Sequence, residues 1–493
     1  MSLRKLVFAG SFAILAGCSV TSEPLSSEEL ALTADQNIAR VTQDQEAVTR
    51  PISLYEAMAR ALKYNLDHRV ELMAAALADS KLALANSDML PELVANGGYS
   101  GRDKGNHSFS RTLSGIDSLE PSTSREKHVL TKDLTFSWHI LDFGLSWVRA
   151  RQAADNAMLA SERRRKVING IIEDVRTAYW RAVSADRLLA GFQALEKRIG
   201  AALSNSRALR RDGFTSPAAE LTFQRELLDI KRNIQRLERE LRTSRIQLAA
   251  LINLDPSRRF DLVIPERRLD GLNLQIASRE MMRLALLNRP EIREVAYKGR
   301  INAREGEAAL LELLPGIQLY AGTNFDSNSF LLNNSWVGWG AKAGWNLMRL
   351  FAYPAKQGVI GAEAALIDQQ ALATTMAIMT QVEVARLRYG LLRRSADTAR
   401  QYYAVQVQLR DHVKASAGVD AASEQSLIRE EMNTLVASAD YDIAFADLQN
   451  AFAAIYTSIG VDPWGDELDV NLPVDELTAR LRDTWRARGD NGG

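Results

Sequence analysis

The residue types best suited to catalysis are sparse in this chain and lie far apart. Gly338-Trp339-Gly340, with Gly344, has the wrong glycine spacing for a dinucleotide-binding loop and falls within a strand-like pattern. The sequence contains no serine nucleophile elbow and no phosphate-binding loop. No two of the five histidines have metal-ligand spacing, and they are His68, His107, His128, His139 and His412. We therefore expect a protein that is not an enzyme and holds no metal.

The charge distribution gives no support to nucleic-acid binding. Lys plus Arg and Asp plus Glu both number 61, so the formal net charge is zero. A nucleic-acid-binding domain usually presents a basic face. The basic run Arg163-Arg164-Arg165-Lys166 follows Glu162 within a predicted long helix and has no interleaved aromatic residues. A solvated helix face explains this run better, so we expect no nucleic-acid partner.

The single cysteine, Cys18, follows a segment that reads as a signal. Arg4-Lys5 precedes an apolar stretch over residues 6–16, which is too short to span a membrane as a helix and typical of a signal peptide. Leu15-Ala16-Gly17-Cys18 resembles the bacterial lipobox, whose cysteine is acylated and becomes the first residue of the mature chain. We expect a lipid on Cys18 and no other cofactor. A plain secretory signal with an incidental cysteine is the alternative.

The elements of the chain occur as one pattern repeated twice. Matching short segments recur 224 residues later before a predicted strand hairpin and 207 residues later after it, and one 17-residue insertion near residues 101–129 explains the change. The matched pairs are Ala61-Leu62 with Ala285-Leu286, Leu90-Pro91 with Leu314-Pro315, Trp138 with Trp345, and Asp255-Pro256 with Asp462-Pro463. Each copy is predicted to hold a helix of about 30 residues, a hairpin and two long helices.

The long segments of each copy show the pattern of coiled-coil helices. Proline, the strongest helix breaker, is absent between Pro121 and Pro217 and between Pro354 and Pro463. Apolar residues there recur at alternating steps of three and four, as in a coiled coil. In the second copy these residues are Tyr441, Phe445, Leu448, Phe452, Ile455 and Ile459. The lengths suit a coiled coil better than one ordinary buried helix face.

Four segments alternate between apolar and polar residues, which predicts strands with one dry face and one wet face. They begin near Leu93, Leu134, Ile317 and Val337. Such segments suit a membrane β-barrel with polar residues facing its lumen, and a soluble sheet over a core is the alternative. Four strands cannot close a barrel, and an open edge in lipid leaves backbone groups unpaired. The strand count therefore predicts an assembly of several chains and leaves their number open.

The ordered set of these features resembles the TolC family of outer-membrane factors, over about residues 51–463. It comprises the lipobox, the repeat, the Leu-Pro before each hairpin, and Leu141-Asp142-Phe143-Gly144 leading into a long helix. The resemblance implies a fold that is mainly α with membrane β. A homotrimer would form a twelve-stranded β-barrel in the outer membrane, four strands per chain, continuing into a coiled-coil helical barrel in the periplasm.

The same resemblance implies a passive channel for tripartite efflux or for type I secretion, and the sequence does not choose between them. The implied partners are outer-membrane lipid, a periplasmic adaptor protein and an inner-membrane transporter. A coiled-coil envelope lipoprotein without a pore is the alternative. In that case the hairpins would have no band of lipid-facing residues.

The family also implies a gate at the periplasmic helix turns, which acidic residues line. The turn 417–420 makes Asp420 and Glu424 the candidates in the second copy, and the turn 211–214 makes Asp212 and Glu220 the candidates in the first. Around a threefold axis each carboxylate becomes a ring of three, and such rings select cations. Many members carry a further Asp where this chain has Leu427. Exposed turns with ordinary solvated carboxylates are the alternative.

Three tryptophans are candidates for an aromatic girdle facing the membrane, with plain packing on the sheet as the alternative. They are Trp138, Trp339 and Trp345.

The sequence also predicts how the chain is divided. A signal peptide over 1–17 precedes a lipidated tether over 18–50, and a polar tail over 464–493 ends the chain. Between them lie a first repeat over 51–264 with its hairpin at about 92–143 and a second repeat over 275–463 with its hairpin at about 316–348.

Overall fold

The computed structural model describes residues 22–43, 45–211, 217–269, 274, 276–416, 421–465 and 469–489. Its helices are α1 Ser27–Val41, α2 Leu54–Tyr64, α3 Leu66–Ser87, α4 Ile140–Arg211, α5 Pro217–Leu251, α6 Ser278–Asn288, α7 Pro290–Leu311, α8 Met348–Ser416, α9 Ala421–Ser458 and α10 Val474–Ala487. Its strands are β1 Glu92–Gly101, β2 His107–Ser108, β3 Ser122–Thr123, β4 His128–His139, β5 Gly316–Asp326 and β6 Ser335–Gly344.

The order of two helices, two long strands and two helices occurs twice along the chain. Two backbone positions 207 residues apart mark corresponding points of the two copies. Asn253 follows α5 with a φ of 55°, and Gly460 follows α9 with a φ of 75°. Positive φ is uncommon outside glycine and asparagine, so its recurrence at matched turns is a strong sign of one repeated backbone path.

The helix predicted before each hairpin is in fact two helices, which corrects the sequence prediction. α2 and α3 meet at Asn65, and α6 and α7 meet at Arg289, each with an extended ψ of about 130°. The Asn65 side chain caps α3 by accepting hydrogen bonds from the backbone N–H of Asp67 and His68. In the second copy, Pro290 begins α7 and disfavours a helical conformation at Arg289.

α4 and α8 are the longest elements, with 72 and 69 residues. At ~1.5 Å per residue each extends for roughly 100 Å. β4 passes directly into α4 at Ile140, so the first hairpin ends at His139 rather than near residue 143. The second hairpin likewise ends at Gly344, before the predicted 348. Apolar residues continue from each of these strands into the helix that follows. The sequence pattern therefore does not show where the strand ends and the helix begins.

The four long strands form one antiparallel sheet in the order β1-β4-β5-β6. β2 and β3 pair with each other within the longer first loop. β1 and β6 are the edges of the sheet, and neither pairs on its outer side with any described strand. The chain therefore presents two free sheet edges.

The long helices lie side by side as a wall below the sheet. Above the level of Asn65 the wall has the order α3, α4, α7, α8, and below that level it has the order α5, α4, α9, α8. α2, α10 and the segment 257–269, which we call the strap, pack against this wall. The predicted polar tail contains α10, whose Val474, Leu477, Leu481 and Trp485 are buried in that packing.

Among the helices of the described ranges, none has the length and apolar character needed to cross a membrane.

Candidate functional site

The sheet has one apolar and one polar face, and both are open to solvent in the single chain. The register places Leu93 opposite Phe136, Trp138 opposite Leu319 and Ala321 opposite Trp339, so all of these side chains share a face. The other face carries Asn96, Asp133, Thr135, Gln318, Asn324 and Lys342. An exposed apolar face of this extent is typical of a surface that contacts a protein partner or a membrane.

The three predicted girdle residues lie at two levels of the sheet. Trp138 is next to the helix junction, with its ring 5.9 Å from that of Phe143 in an edge-to-face contact. Trp345 lies one residue beyond β6, and its Nε1 donates to the carbonyl of Leu313 at 2.8 Å. Trp339 is at the middle of β6 and is 80% exposed. Trp138 and Trp345 thus mark one level near the helices, while Trp339 lies on the apolar face at mid-height.

Side chains of the polar face hydrogen-bond to one another, both within β4 and between β1 and β4. Asn96 Nδ2 and Thr135 Oγ1 both donate to Asp133 Oδ1, each at 3.0 Å. Further along, the ring of Tyr320 covers Gly340, where an added Cβ would lie 2.6 Å from the tyrosine hydroxyl oxygen. This close approach explains the glycine within the strand. The face is suited to water rather than to lipid.

The free edges of the sheet continue downward as free edges of the helical wall. β1 connects to α3, and β6 connects to α8, and the two helices form opposite ends of the upper wall. Both present exposed apolar side chains at helical spacing, Val70, Met73, Leu77 and Leu84 on α3 and Leu366, Met376, Leu387 and Leu391 on α8. α5, the lower end on the α3 side, exposes Leu221 and Leu228. Each edge of the upper wall therefore carries a stripe of exposed apolar side chains, and α5 adds fewer of them below.

Of the four predicted gate residues, the structure locates one side chain. Asp212 and Asp420 lie outside the described residues, as does the side chain of Glu424. Glu220, on the first turn of α5, is 5% exposed. It accepts a hydrogen bond from Gln224 Nε2 at 2.7 Å and another from Ser206 Oγ at 3.2 Å. Glu220 therefore joins α5 to α4 within one chain, instead of lying open at the turn.

Contacts between the helices near the turns were not apparent from the sequence. Arg198 on α4 pairs with Glu431 on α9. Arg429 on α9 pairs with Glu226 on α5 at 2.9 Å. Because each pair joins residues more than 200 positions apart, no local signal reveals them. They connect helices of the first copy to a helix of the second.

The strap is fixed to the wall through Asp442, another residue that the sequence did not single out. Arg267 of the strap and Arg187 of α4 both donate to the Asp442 carboxylate of α9, and Asp442 is 4% exposed. The guanidinium of Arg267 also lies over the ring of Tyr441, 4.7 Å from its centre. Burial lowers the pKa of Arg187, while Asp442 opposes that change. The network ties α4, α9 and the strap together.

His68 joins α2, α3 and α4 at the bend beside Asn65. It is buried, with Nδ1 2.7 Å from the carbonyl of Leu62 and Nε2 3.2 Å from Arg164 Nε. Arginine can only donate, so Nε2 accepts and the imidazole is the neutral Nδ1–H tautomer. Burial is the main cause of its lowered pKa, with a smaller contribution from the charge of Arg164.

Within the ranges that the structure describes, no group of three or more His, Cys, Asp or Glu side chains is placed to hold a metal ion. The arrangement instead offers surfaces: a two-faced sheet, two apolar edges and a long polar wall.

Solved structures share this fold across nearly the whole chain. The Campylobacter jejuni CmeC outer membrane channel has 13% sequence identity and a TM-score of 0.65, with 95% of this chain and 99% of that chain covered. The open state of the Neisseria gonorrhoeae MtrE outer membrane channel has 18% identity and a TM-score of 0.61, with 84% and 94% covered. CusC, in crystal structures concerned with transmembrane channel formation, has 15% identity and a TM-score of 0.61, with 85% and 96% covered.

Sequence comparison gives a consistent result. No curated protein matches the chain by sequence. Residues 57–254 match the family described as outer membrane efflux protein. This match and the shared fold confirm the resemblance predicted from the lipobox, the repeat and the hairpins: residues 57–254 are similar to the outer membrane efflux protein family, and the chain has the fold of TolC-type outer membrane channels.

Proposed function

We propose that the protein is an outer-membrane channel made of three copies of this chain, and that it serves as a passive export duct. The observation that carries the proposal is the alignment of its free edges. Within the described residues, the outer sides of β1, α3 and α5 at one edge, and of β6 and α8 at the other edge, have no neighbouring element. Two different edges that complement each other make a head-to-tail contact, which closes into a ring when the rotation fits.

Ring closure supplies partners to both kinds of edge. The backbone groups of β1 would pair with those of β6 from the next copy, which removes the open edge that lipid does not tolerate. The apolar stripes of α3 and α8 would pack together in the same contact. Three copies give twelve strands, within the range of known transmembrane barrels. The apolar face would then turn to lipid and the polar face to the lumen.

A lipid on Cys18 is compatible with the position of the N-terminal segment. Val41, the last residue of α1, is held near the base of α3, because Asn253 Nδ2 donates to its carbonyl at 2.8 Å. α3 rises ~33 Å from there to the sheet. α1 spans ~22 Å as a helix, and the residues between Cys18 and Ser26 add up to ~28 Å when extended. The segment is thus long enough to return to the membrane.

The gate and the partners are also part of the proposal. Rings of Asp420, Glu424 and Asp212 at the turns would control entry from the periplasm, and the interhelical pairs Arg198–Glu431 and Glu226–Arg429 would hold the turns closed. A periplasmic adaptor protein would dock at this end, and an inner-membrane transporter would supply the energy, in tripartite efflux or in type I secretion.

The test is native mass spectrometry of the protein extracted from outer membranes in mild detergent. We expect a trimer whose mass includes the acyl chains of Cys18. A monomer that is stable in detergent would contradict ring closure, and it would support an envelope lipoprotein without a pore. Protease treatment of intact membranes separates the same alternatives, since a membrane-embedded sheet is protected between its loops and a soluble sheet is cut.

A further inference from the structure

A recess of about 520 Å³ interrupts the wall where α4, α5 and α9 meet. Its lining includes Thr177, Trp180, Arg181, Gln247, Asp447 and Asn450. Trp180 is 3% exposed, and its indole N–H has no hydrogen-bond partner in the part of the chain that the structure describes. A buried indole N–H normally finds a partner. Water or a solute in the recess is the hydrogen-bond partner that remains available to this N–H.

The recess opens on the side of the wall opposite the strap. Tyr179 lies under the strap, with its hydroxyl donating to the carbonyl of Val263 at 2.8 Å. Thr177 and Arg181 are each two residues away from Tyr179, which is ~200° around the helix. In the closed ring of the proposed function the strap, α2 and α10 must lie outside, since they would otherwise fill the lumen. The recess therefore faces the tunnel.

The charged side chains around the recess come from three helices. Arg181 of α4 and Asp447 of α9 line the recess, Arg388 of α8 is close enough for its charge to act on Asp447, and the lining residues from α5 are the neutral Thr243, Ser244 and Gln247. Burial is the larger influence on the Asp447 pKa and raises it, while the two arginines oppose that rise. With Asp447 ionised, the three residues carry one net positive charge per chain. When Asp447 is neutral, they carry two.

We propose that Arg181, Asp447 and Arg388 of the three chains form a charged belt at mid-tunnel that favours anions, with Asp447 setting the strength of this preference. The belt rests on the proposed channel function. It is a second selectivity element, distant from the acidic turns and opposite to them in sign. A solute that bears a carboxylate or phosphate would be retained here more than a cation of the same size.

The reach of the belt depends on ionic strength. The Debye length is ~10 Å at 0.1 M salt, ~30 Å at 0.01 M and ~3 Å at 1 M. Charges on a wide tunnel wall therefore act on ions near the axis only when salt is dilute. Any selectivity caused by the belt should disappear in concentrated salt, whereas selectivity caused by a narrow constriction should persist.

The test is the reversal potential of the purified trimer in planar bilayers, under a gradient of roughly 0.1 M against 0.01 M KCl. Asp447→Asn is expected to change the chloride-to-potassium permeability ratio by about twofold or more toward chloride, and Arg181→Gln by a similar factor toward potassium. Glu266→Gln and Arg268→Gln, on an exposed pair of the strap, are matched controls outside the tunnel and should have no effect. Native mass spectrometry of each variant is the check that it still assembles as a trimer.

A second measurement uses the unmodified protein. The permeability ratio should move toward chloride as pH is lowered through the titration of Asp447, and this movement should be smaller in Asp447→Asn. The belt is overturned if channels of both variants conduct with unchanged reversal potentials, or if both variants shift in the same direction. If trimers of the unmodified protein do not conduct at all, the proposed channel is refuted and the belt with it. Variants that conduct with unchanged reversal potentials refute the belt alone, so the two failures are distinguishable.

Discussion

Arg267 Nε lies 2.7 Å from Asp442 Oδ1, and Arg267 Nη2 lies 2.9 Å from Asp442 Oδ2. This bidentate contact fixes the strap, which connects the two sequence repeats of the chain, to α9. Arg187 of α4 donates to the same carboxylate. One buried carboxylate thus pairs with two guanidinium groups from separate parts of the fold. Removing it would leave both of them without their anionic partner.

We therefore expect Asp442→Ala to destabilise the protein by about 3–5 kcal/mol, because breaking a buried ion pair leaves an uncompensated charge. Denaturant unfolding followed by circular dichroism measures the change. Glu266→Ala is the control, since Glu266 and its partner Arg268 are both exposed and should contribute less than about 1 kcal/mol. Equal losses in the two variants would show that the strap is not fixed through Asp442.

His68 is expected to make the protein less stable in acid. Its pKa is lowered in the folded state from 6.5, so below that pH the unfolded chain binds more protons than the folded chain. Stability then rises with pH through this window and falls as pH is lowered below about 6.5. Thermal unfolding at pH 7.5 and pH 5 should show a smaller acid loss in His68→Gln. An equal loss in both proteins would exclude His68 as a cause.

The turn at Gly460 provides a test of the backbone. Its φ is 75°, and an added Cβ would lie 2.7 Å from the backbone nitrogen of Arg289. Gly460→Ala should therefore cost roughly 1–3 kcal/mol or more in the free energy of unfolding. Gly306→Ala, within α7 and with open space around it, should be neutral or stabilising by up to about 1 kcal/mol. Similar effects at both positions would refute a strained turn at 460.

The two faces of the sheet can be separated with neighbouring residues of β4. Phe136→Arg places a charge on the apolar face and should reduce the yield of folded trimer in the outer membrane, at a cost of about 2–4 kcal/mol near the membrane centre. Thr135→Arg places the same charge on the polar face and should be tolerated. Heat-modifiable mobility on gels measures the folded fraction. If Phe136→Arg assembles as well as Thr135→Arg, the apolar face does not contact lipid.

The repeat, the strands and the long helices could be predicted because each leaves a periodic signal. The strand alternation around Leu134 and Trp138 and the coiled-coil steps from Tyr441 to Ile459 follow from burial on one face of a regular element. The break at Asn65 was missed, since a single polar residue can continue a helix or cap the next one. Pairs such as Arg198–Glu431 depend on how distant segments meet, which periodicity does not encode.

The candidate site could be predicted only where it depends on residues that are close together in the sequence. Turn position identified Glu220, but its burial against Ser206 depends on how α5 packs on α4. A carboxylate held inside a helix pair cannot present its charge to ions in the tunnel as an exposed ring would. The buried candidate Glu220 and the candidates that the sequence places at the turns should therefore respond differently to neutralisation.

Asp420→Ala is expected to raise single-channel conductance and antibiotic leakage into cells, because it removes a ring of charge at the turn where the tunnel would close. Glu220→Gln should leave ion selectivity unchanged, since its carboxylate lies between α4 and α5. Bilayer recordings and growth on a large antibiotic provide the two readouts. Unchanged leakage in Asp420→Ala would remove Asp420 from the gate. A selectivity change in Glu220→Gln would mean that α4 and α5 separate at the turn in the open channel and expose this carboxylate to the tunnel.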